Sequence, residues 1–146
     1  MAVDWEKVEF KDEKRFLSNM YVCNIIYKGK KYGSSEHIYQ AMKSENIEYQ
    51  EYIRGLEEPT MTKKEADRLL GDIYEFREDW ESVKLALMEE ILYLKFEQNL
   101  ELKEKIIKID GYIEEKNSWG DRFWGTSEGE GENHLGRLLM KVREEM

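Results

Sequence analysis

A carboxylate, an amide and an ammonium stand four and three residues apart at Glu36, Gln40 and Lys43. In a helix each residue turns about 100°, so these three fall on one narrow stripe. Tyr39 lies beside the stripe, while Ile38, Ala41 and Met42 take the other side. The pattern fits the solvated face of an amphipathic helix, with Glu36 favouring the positive end of the helix dipole. It also fits a set of groups projecting together into a pocket for acid–base and electrostatic chemistry. Gly33-Ser34-Ser35 precedes the stripe, and a helix that follows such a turn presents its first residues at an edge. His37 points about 100° away from Glu36 and reads as a packed, hydrogen-bonded histidine rather than a general base.

A second constellation is Ser118-Trp119-Gly120-Asp121-Arg122-Phe123-Trp124-Gly125, followed by the acidic run Glu128, Glu130 and Glu132. Between 111 and 136 lie Gly111, Gly120, Gly125, Gly129, Gly131 and Gly136 of the chain's 10 glycines, with Trp119 and Trp124 of its 4 tryptophans. One reading is a loop pinned by both tryptophans into the core, with the glutamates in solvent. The other is a platform on which a base or sugar stacks, with Asp121 set to bind a hydroxyl or a developing cation. A base stacked on an aromatic ring gains about 1–3 kcal/mol without sequence readout. Asn133 precedes an apolar run and reads as a helix N-cap. Gly136, inside that run, costs about 1 kcal/mol relative to alanine and so asks for close packing or ligand approach. Gly125 raises the same question in a loop. Asp79-Trp80 reads as a cap followed by a core anchor, or as a ring bordering a pocket.

These residues need a scaffold, and 146 residues is the length of one ordinary domain. Charged residues make up 38% of the chain and hydrophobic ones 40%, with a net charge of −9. Cys23 is the single cysteine, which excludes an internal disulfide or a cysteine-based metal site. His37 and His134 are the 2 histidines, and no carboxylates stand at zinc spacing around them. No metal and no cofactor are expected. The longest apolar runs, such as Ile91-Leu92-Tyr93-Leu94, are far too short to span a bilayer, so no membrane contact is expected. The start of the chain lacks a basic segment followed by an apolar one, and a cytoplasmic setting is expected. The acidic balance argues against gripping nucleic acid mainly through its phosphates.

The first third reads as extended. Val8 and Phe10 alternate with Glu9, and Tyr21, Cys23 and Ile25 alternate with Val22 and Asn24. Ile25 to Tyr32 resembles a hairpin with Gly29 at its turn, and Cys23 reads as a small buried side chain. The rest reads as helical. One helix spans about Glu36 to Lys43, with a continuation through Tyr52 after a break. Thr62 and Glu65 fit a capping box opening a helix with Ala66, Leu69 and Leu70 that stops near Gly71. After Asp79, Trp80, Val83, Leu87, Ile91 and Leu94 recur at helical spacing, widened by Leu85, Met88 and Leu92. So wide a stripe predicts a helix buried on most of its circumference. Asn99 would cap a short helix carrying Leu102, Ile106 and Ile109, and a last helix after Asn133 turns Leu135, Leu138, Leu139 and Val142 inward.

Several of these segments, in order, resemble one family. They are Phe16-Leu17-Ser18-Asn19-Met20-Tyr21, Tyr32 to Lys43, Arg77-Glu78-Asp79-Trp80 with Lys84, Lys95-Phe96-Glu97-Gln98-Asn99, Asp121 to Gly125, and Asn133 to Met140. The resemblance is to the NADAR superfamily, also called YbiA-like, and it runs from about Phe16 to Arg143. It departs at Val22 and Gly33, where the family pattern often carries proline. The resemblance implies an α+β fold: a mostly helical single domain over residues 1–146 with a small N-terminal β-hairpin or sheet. It also implies hydrolysis of N-glycosidic bonds. One branch removes ADP-ribose from modified guanine in nucleic acid; another splits ribose-5-phosphate from early riboflavin-pathway intermediates.

On that basis Glu36 is the expected acid/base, a role worth about 10²–10⁴-fold in rate. Lys43 would hold a phosphate or ribose hydroxyl, or attack the ribose C1 to form a transient Schiff base with the opened sugar if burial lowers its pKa. Asp121 would orient the ribose or stabilise the cation. Trp124 would stack, Asn19 and Asn133 would hydrogen-bond the nucleotide, and Tyr39, Gln40, Trp80, Gly125 and Gly136 would complete the substrate site. The substrate would contain ADP-ribose or ribose phosphate. Any contact with ADP-ribosylated DNA or RNA would be transient and confined to the modified nucleotide, with Lys28, Lys30, Lys31 and Lys43 offsetting the acidic field. A module that binds ADP-ribose without cutting it would keep Trp124, Asn19 and Asn133 but would lack a placed carboxylate.

Overall fold

Strand β1 (Ile25–Tyr27) turns back on β2 (Lys30–Tyr32) in an antiparallel pair with Ile26 opposite Lys31. The turn needs left-handed backbone at both central residues, which Lys28 (φ 49°) and Gly29 (φ 79°) supply. Ile25 and Tyr27 are buried and Ile26 faces out, the alternation read from the sequence. Cys23 N–H donates to the Gly33 carbonyl at 2.9 Å, adding a rung before the ladder, and its side chain is half-buried. This computed structural model describes Phe10 and residues 12–146. The alternation expected at Val8 and Glu9 falls outside the described residues. Asp12–Leu17 forms a short 3-10 helix burying Phe16 and Leu17, where an extended segment was expected.

The chain divides into two compact units, one spanning Asn19–Asn99 and one joining residues up to Ser18 to Leu100–Met146. The first holds the hairpin and four helices. Helix α1 (Ser35–Ala41) opens at Ser34, whose hydroxyl accepts the His37 N–H at 3.1 Å. Helix α2 (Ile47–Arg54) follows a break at 42–46 and is capped by Asn46, which accepts the Tyr49 N–H at 3.0 Å. Helix α3 (Pro59–Leu69) starts before the expected capping box. Proline at its first turn is already set to helical φ and has no N–H to satisfy, so the helix begins there. Thr62 therefore lies inside, buried, its hydroxyl donating to the Pro59 carbonyl at 2.6 Å. Gly71 (φ 94°) follows its end, as expected.

Helix α4 (Trp80–Gln98) departs from expectation twice. Asp79 stands at the N-cap position, but its side chain makes no cap bond; its carboxylate accepts a fork from Arg77, with Nε at 2.7 Å and Nη2 at 3.0 Å. The buried stripe is also narrower than read: Trp80, Leu87, Met88, Ile91, Leu92, Lys95 and Phe96 are inside, while Leu85 and Tyr93 are exposed. At the far end of α4, Gln98 bonds both backbone groups of Ile26, accepting its N–H at 2.6 Å and donating to its carbonyl at 2.9 Å. Asn99 closes α4 rather than opening the next helix, donating to the carbonyls of Lys95 (2.8 Å) and Asn24 (2.9 Å).

In the second unit, α5 (Leu100–Ile107) buries Leu102 and Ile106, and Ile109 is buried just beyond it. Two short strands, β3 (Lys116–Asn117) and β4 (Thr126–Ser127), pair in parallel. Helix α6 (His134–Glu145) turns Leu135, Leu139 and Val142 inward, with Leu138 half-buried. Arg143 ties α6 to the chain after α5 by donating to the carbonyls of Ile109 and Gly111, both at 2.9 Å. The fold is thus α+β and mostly helical, with small two-stranded sheets. Among the described residues no helix is long and apolar enough to cross a membrane.

Candidate active site

Helix α1 packs against α2, α3 and α4, and every residue from Ser35 to Ala41 is buried. Ile38 and Ala41 carry its apolar side, as their spacing predicts. His37 is spent on structure: Nε2 lies 2.7 Å from the Leu56 carbonyl and Nδ1 2.7 Å from the Ser34 hydroxyl. A carbonyl only accepts, so the proton sits on Nε2 and Nδ1 accepts from serine.

The polar stripe is inside as well, which removes the solvated-face reading. Glu36 is 8% exposed, Gln40 1% and Lys43 9%. Gln40 Nε2 donates to Glu36 Oε1 at 2.6 Å. Lys43 Nζ lies 5.4 Å from the Tyr39 ring centroid and 5.9 Å from that of Trp80, within range of a cation–π attraction. Those rings sit 5.0 Å apart, tilted by 60°, and Phe76 meets Trp80 edge-on at 6.2 Å. Trp80 is therefore a core anchor whose ring also faces the Lys43 ammonium.

Two connections set where these groups stand. The Asn19 backbone carbonyl accepts the Glu36 N–H at 3.1 Å, and the Asn19 side-chain oxygen accepts from Ser35 Oγ at 2.8 Å. Asn19 thus fixes the start of α1 and with it the carboxylate. Arg77 N–H donates to the Lys43 carbonyl at 2.9 Å, and its fork on Asp79 links that point to the residue before Trp80. A surface cavity of roughly 600 Å³ is lined by Ser44, Glu45, Asn46, Arg77 and Asp79 among others, and by none of Glu36, Gln40 and Lys43. Its neighbour Arg77 joins it to the site through the Lys43 backbone.

Burial pushes the Glu36 carboxyl up, while the Gln40 hydrogen bond and the charges of Lys43 and Lys63 pull it back. Burial pushes Lys43 down to about 8, helped by repulsion from Lys63 and Lys84 and opposed by Glu36 and Asp67. Lys43 is thus mostly ammonium at neutral pH, with roughly a tenth present as the nucleophilic amine. The electrostatic part of Lys63 carried no signal in the sequence, because it acts from α3 across the space between helices. Lys95 is a second buried lysine, at 0% exposure, with its Nζ 5.3 Å from the Phe96 ring and 5.9 Å from that of Tyr21. Burial lowers it too, to about 8.

The remaining expected site residues belong to the other unit. Asp121 Oδ1 accepts the N–H groups of Phe123 (3.1 Å) and Trp124 (3.0 Å), an Asx turn that shapes its own loop. Asn117 brackets the same residue, accepting the Asp121 N–H at 3.0 Å and donating to its carbonyl at 2.8 Å. Phe123 and Trp124 meet edge to face at 5.0 Å. Trp119 is 72% exposed, so the loop is not pinned into a core by both tryptophans. Asn133 is not a side-chain cap for α6. It adopts φ 52°, accepts the Glu115 N–H at 2.9 Å and donates to the Ile113 carbonyl at 2.8 Å and to Tyr112 Oη at 3.2 Å. Gly136 answers the question its cost raised: a Cβ there would collide with the Ile113 carbonyl and stand 2.5–2.6 Å from the Asn133 amide. Gly125 is close-packed likewise, against the backbone and carboxylate of Glu115. Among the described residues no cluster of His, Cys, Asp or Glu side chains could hold a metal ion.

Residues 5–146 match the family described as NADAR domain. A riboflavin biosynthesis protein of Vibrio vulnificus (strain YJ016) is 36% identical over 90% of this chain, which spans only 35% of that protein. N-glycosidase YbiA of Escherichia coli (strain K12) is 34% identical over 92% of this chain and 83% of its own length. The NMR structure of E. coli YbiA superposes with a TM-score of 0.84 at 31% identity, covering 99% of this chain and 86% of that one.

Proposed function

Since this chain belongs to the NADAR domain family, we propose that it is an N-glycosidase working from the Glu36–Gln40–Lys43 stripe. The observation that carries the reading is a carboxylate at the start of α1 and an ammonium in the turn just after it, both buried. Placing ionisable groups in a helix core costs stability unless they serve something. Cleavage of a ribose C1–N bond builds positive charge on C1 while the departing nitrogen takes a proton. Glu36, raised by burial, supplies the proton as an acid, and as a carboxylate it then activates water for attack at C1. Gln40 orients it through the 2.6 Å bond.

The Lys43 ammonium holds a phosphate or ribose hydroxyl against the Tyr39 and Trp80 rings. Its descent to about 8 favours a second role for the neutral fraction. There the Nζ lone pair forms a bond to C1 as the C1–N bond breaks, Glu36 protonates the leaving nitrogen, and water later displaces Nζ. Asn19 positions the carboxylate. Within the other unit, Gly125, Asn133 and Gly136 supply the packing that shapes the loop of Asp121 and Trp124.

The substrate we favour is ADP-ribose on guanine in nucleic acid. The −9 charge of the chain then confines DNA or RNA contact to the modified nucleotide. The name of the Vibrio relative favours a second substrate, the ribose-phosphate intermediates of riboflavin biosynthesis. The test incubates the protein and its Glu36→Ala variant with guanine-ADP-ribosylated DNA and, in parallel, with those intermediates. Release of the sugar phosphate by the unaltered protein alone supports the scheme, and the substrate that turns over selects the branch. Undiminished activity in Glu36→Ala removes the assignment. Tight binding of ADP-ribose with no turnover makes the protein a reader rather than an enzyme.

A further inference from the structure

Gln40 Oε1 is buried and has no hydrogen-bond donor among the described residues. The other edge of the same amide is committed, since Nε2 donates to Glu36 Oε1 at 2.6 Å. The Glu36 oxygen in that bond accepts, so the NH2 faces it and the carbonyl faces elsewhere, the proton that Glu36 delivers being carried on its other oxygen. Lys43 does not fill the gap: its ammonium stands over the Tyr39 and Trp80 rings. Leaving a buried carbonyl without a donor costs about 1–3 kcal/mol. A group bound beside Glu36 that brings an N–H or O–H recovers that cost, and one that lacks it does not.

Resting on the N-glycosidase reading, we propose that Gln40 Oε1 determines substrate specificity by demanding a hydrogen-bond donor next to the bond that Glu36 acts on. Of the substrate's own groups on C1, C2 and the bridging nitrogen, two are such donors. One is a hydrogen on the bridging nitrogen, present when the sugar hangs from an exocyclic amine and absent when it hangs from a ring nitrogen, as in ordinary nucleosides. The other is the ribose 2′-hydroxyl. Sites built to hydrogen-bond a substrate N–H or O–H reject analogues lacking it far more strongly than apolar pockets reject a missing methylene. Gln40 thus selects ribosides that carry such a donor.

The experiment uses a ribosylated exocyclic amine bearing a 5′-phosphate, its counterpart methylated on the bridging nitrogen, and its 2′-deoxy counterpart. Each is measured with the unaltered protein, with Gln40→Met, which keeps volume but removes the acceptor, and with Gln40→Glu, which keeps an acceptor oxygen. The unaltered protein is expected to lose at least about 10-fold in kcat/KM on one analogue. Gln40→Met is expected to be slower on the parent and to show no preference beyond the compounds' own reactivity. Gln40→Glu should retain the preference. The analogue that suffers identifies which donor is read. Equal treatment of all three by the unaltered protein, or a preference that survives in Gln40→Met, overturns the inference. If no compound is cleaved, the activity reading falls, and the dissociation constants of the same compounds decide this one: equal affinities overturn it, and a preference that collapses in Gln40→Met upholds it.

Discussion

Lys43→Met should make this protein more stable at pH 7 while abolishing its turnover. The Lys43 ammonium is 9% exposed and titrates at about 8 rather than 10.5, chiefly because burial disfavours its charge. Below pH 8 folded and unfolded chains both carry the proton, so the folded state bears the whole cost. As pH rises from 8 toward 10.5 the folded chain releases its proton first, the unfolded chain binds more, and stability climbs. At about 1.4 kcal/mol per tenfold, the protonated lysine costs on the order of 3 kcal/mol. Methionine fills the same volume against the Tyr39 and Trp80 rings. It gives up the cation–π attraction and leaves Glu36 without the charge that lowers it, so a net gain of about 1–2 kcal/mol is expected. For a chain of this size that is roughly 2–8 °C in Tm. Thermal and urea unfolding at pH 7 and pH 10 read it directly. At pH 10 the native lysine is already neutral, and the gain should vanish. A variant less stable at pH 7, or equally favoured at both pH values, would refute burial of the ammonium as the origin of its titration.

With the Lys43 ammonium holding the substrate, kcat/KM should fall on the alkaline side near 8, where Lys43 loses its proton; a rise there would assign the reaction to its amine. Lys43→Arg should move that limb upward, and an unmoved limb would assign it to another group. kcat/KM should also fall as pH rises through the Glu36 titration, since bond cleavage needs its proton, and burial sets that fall above the ordinary carboxylate range. Gly136→Ala should destabilise by about 2–4 kcal/mol in urea titration despite alanine's better helix propensity, since the new methyl must push aside the Ile113 carbonyl and the Asn133 amide. Arg77→Lys removes the fork on Asp79 yet touches no core, so unfolding should shift by no more than about 1 kcal/mol. Turnover in the same variant should drop about 10-fold as Lys43 and Trp80 lose their common anchor. Equal loss of both quantities would show the fork to be merely structural.

Local chemistry made much of this molecule readable in its sequence. The Gly29 turn, the Ser34 cap and the angular spacing of Glu36, Gln40 and Lys43 are each decided within a few residues. Where the reading failed, two local signals competed and only the fold arbitrated. Thr62 and Glu65 make a sound capping box, but Pro59 is a better first residue and lies one turn earlier. Asp79 has the right side chain for a cap, and Arg77 claims it with two charged hydrogen bonds. Asn133 turns its amide to the chain at 112–115 because Gly136 lets that chain come close. Burial of the polar stripe was beyond reach from the pattern, since it depends on how three further helices pack around α1. The orphaned oxygen of Gln40 was equally hidden, being a property of what does not approach it.

The side chain of Gln98 has a bearing on how this protein behaves at high concentration. Ile25, Ile26 and Tyr27 are β-prone and apolar, and Ile26 is 56% exposed. An edge strand of that composition is a template on which a second chain can grow a sheet, the first step toward swapped dimers and fibrils. The outward N–H and C=O of Ile26 are the groups such a chain would need, and one glutamine from the end of α4 already holds both. A single amide thus does the work of a missing neighbour strand: the hairpin meets water without soliciting another copy.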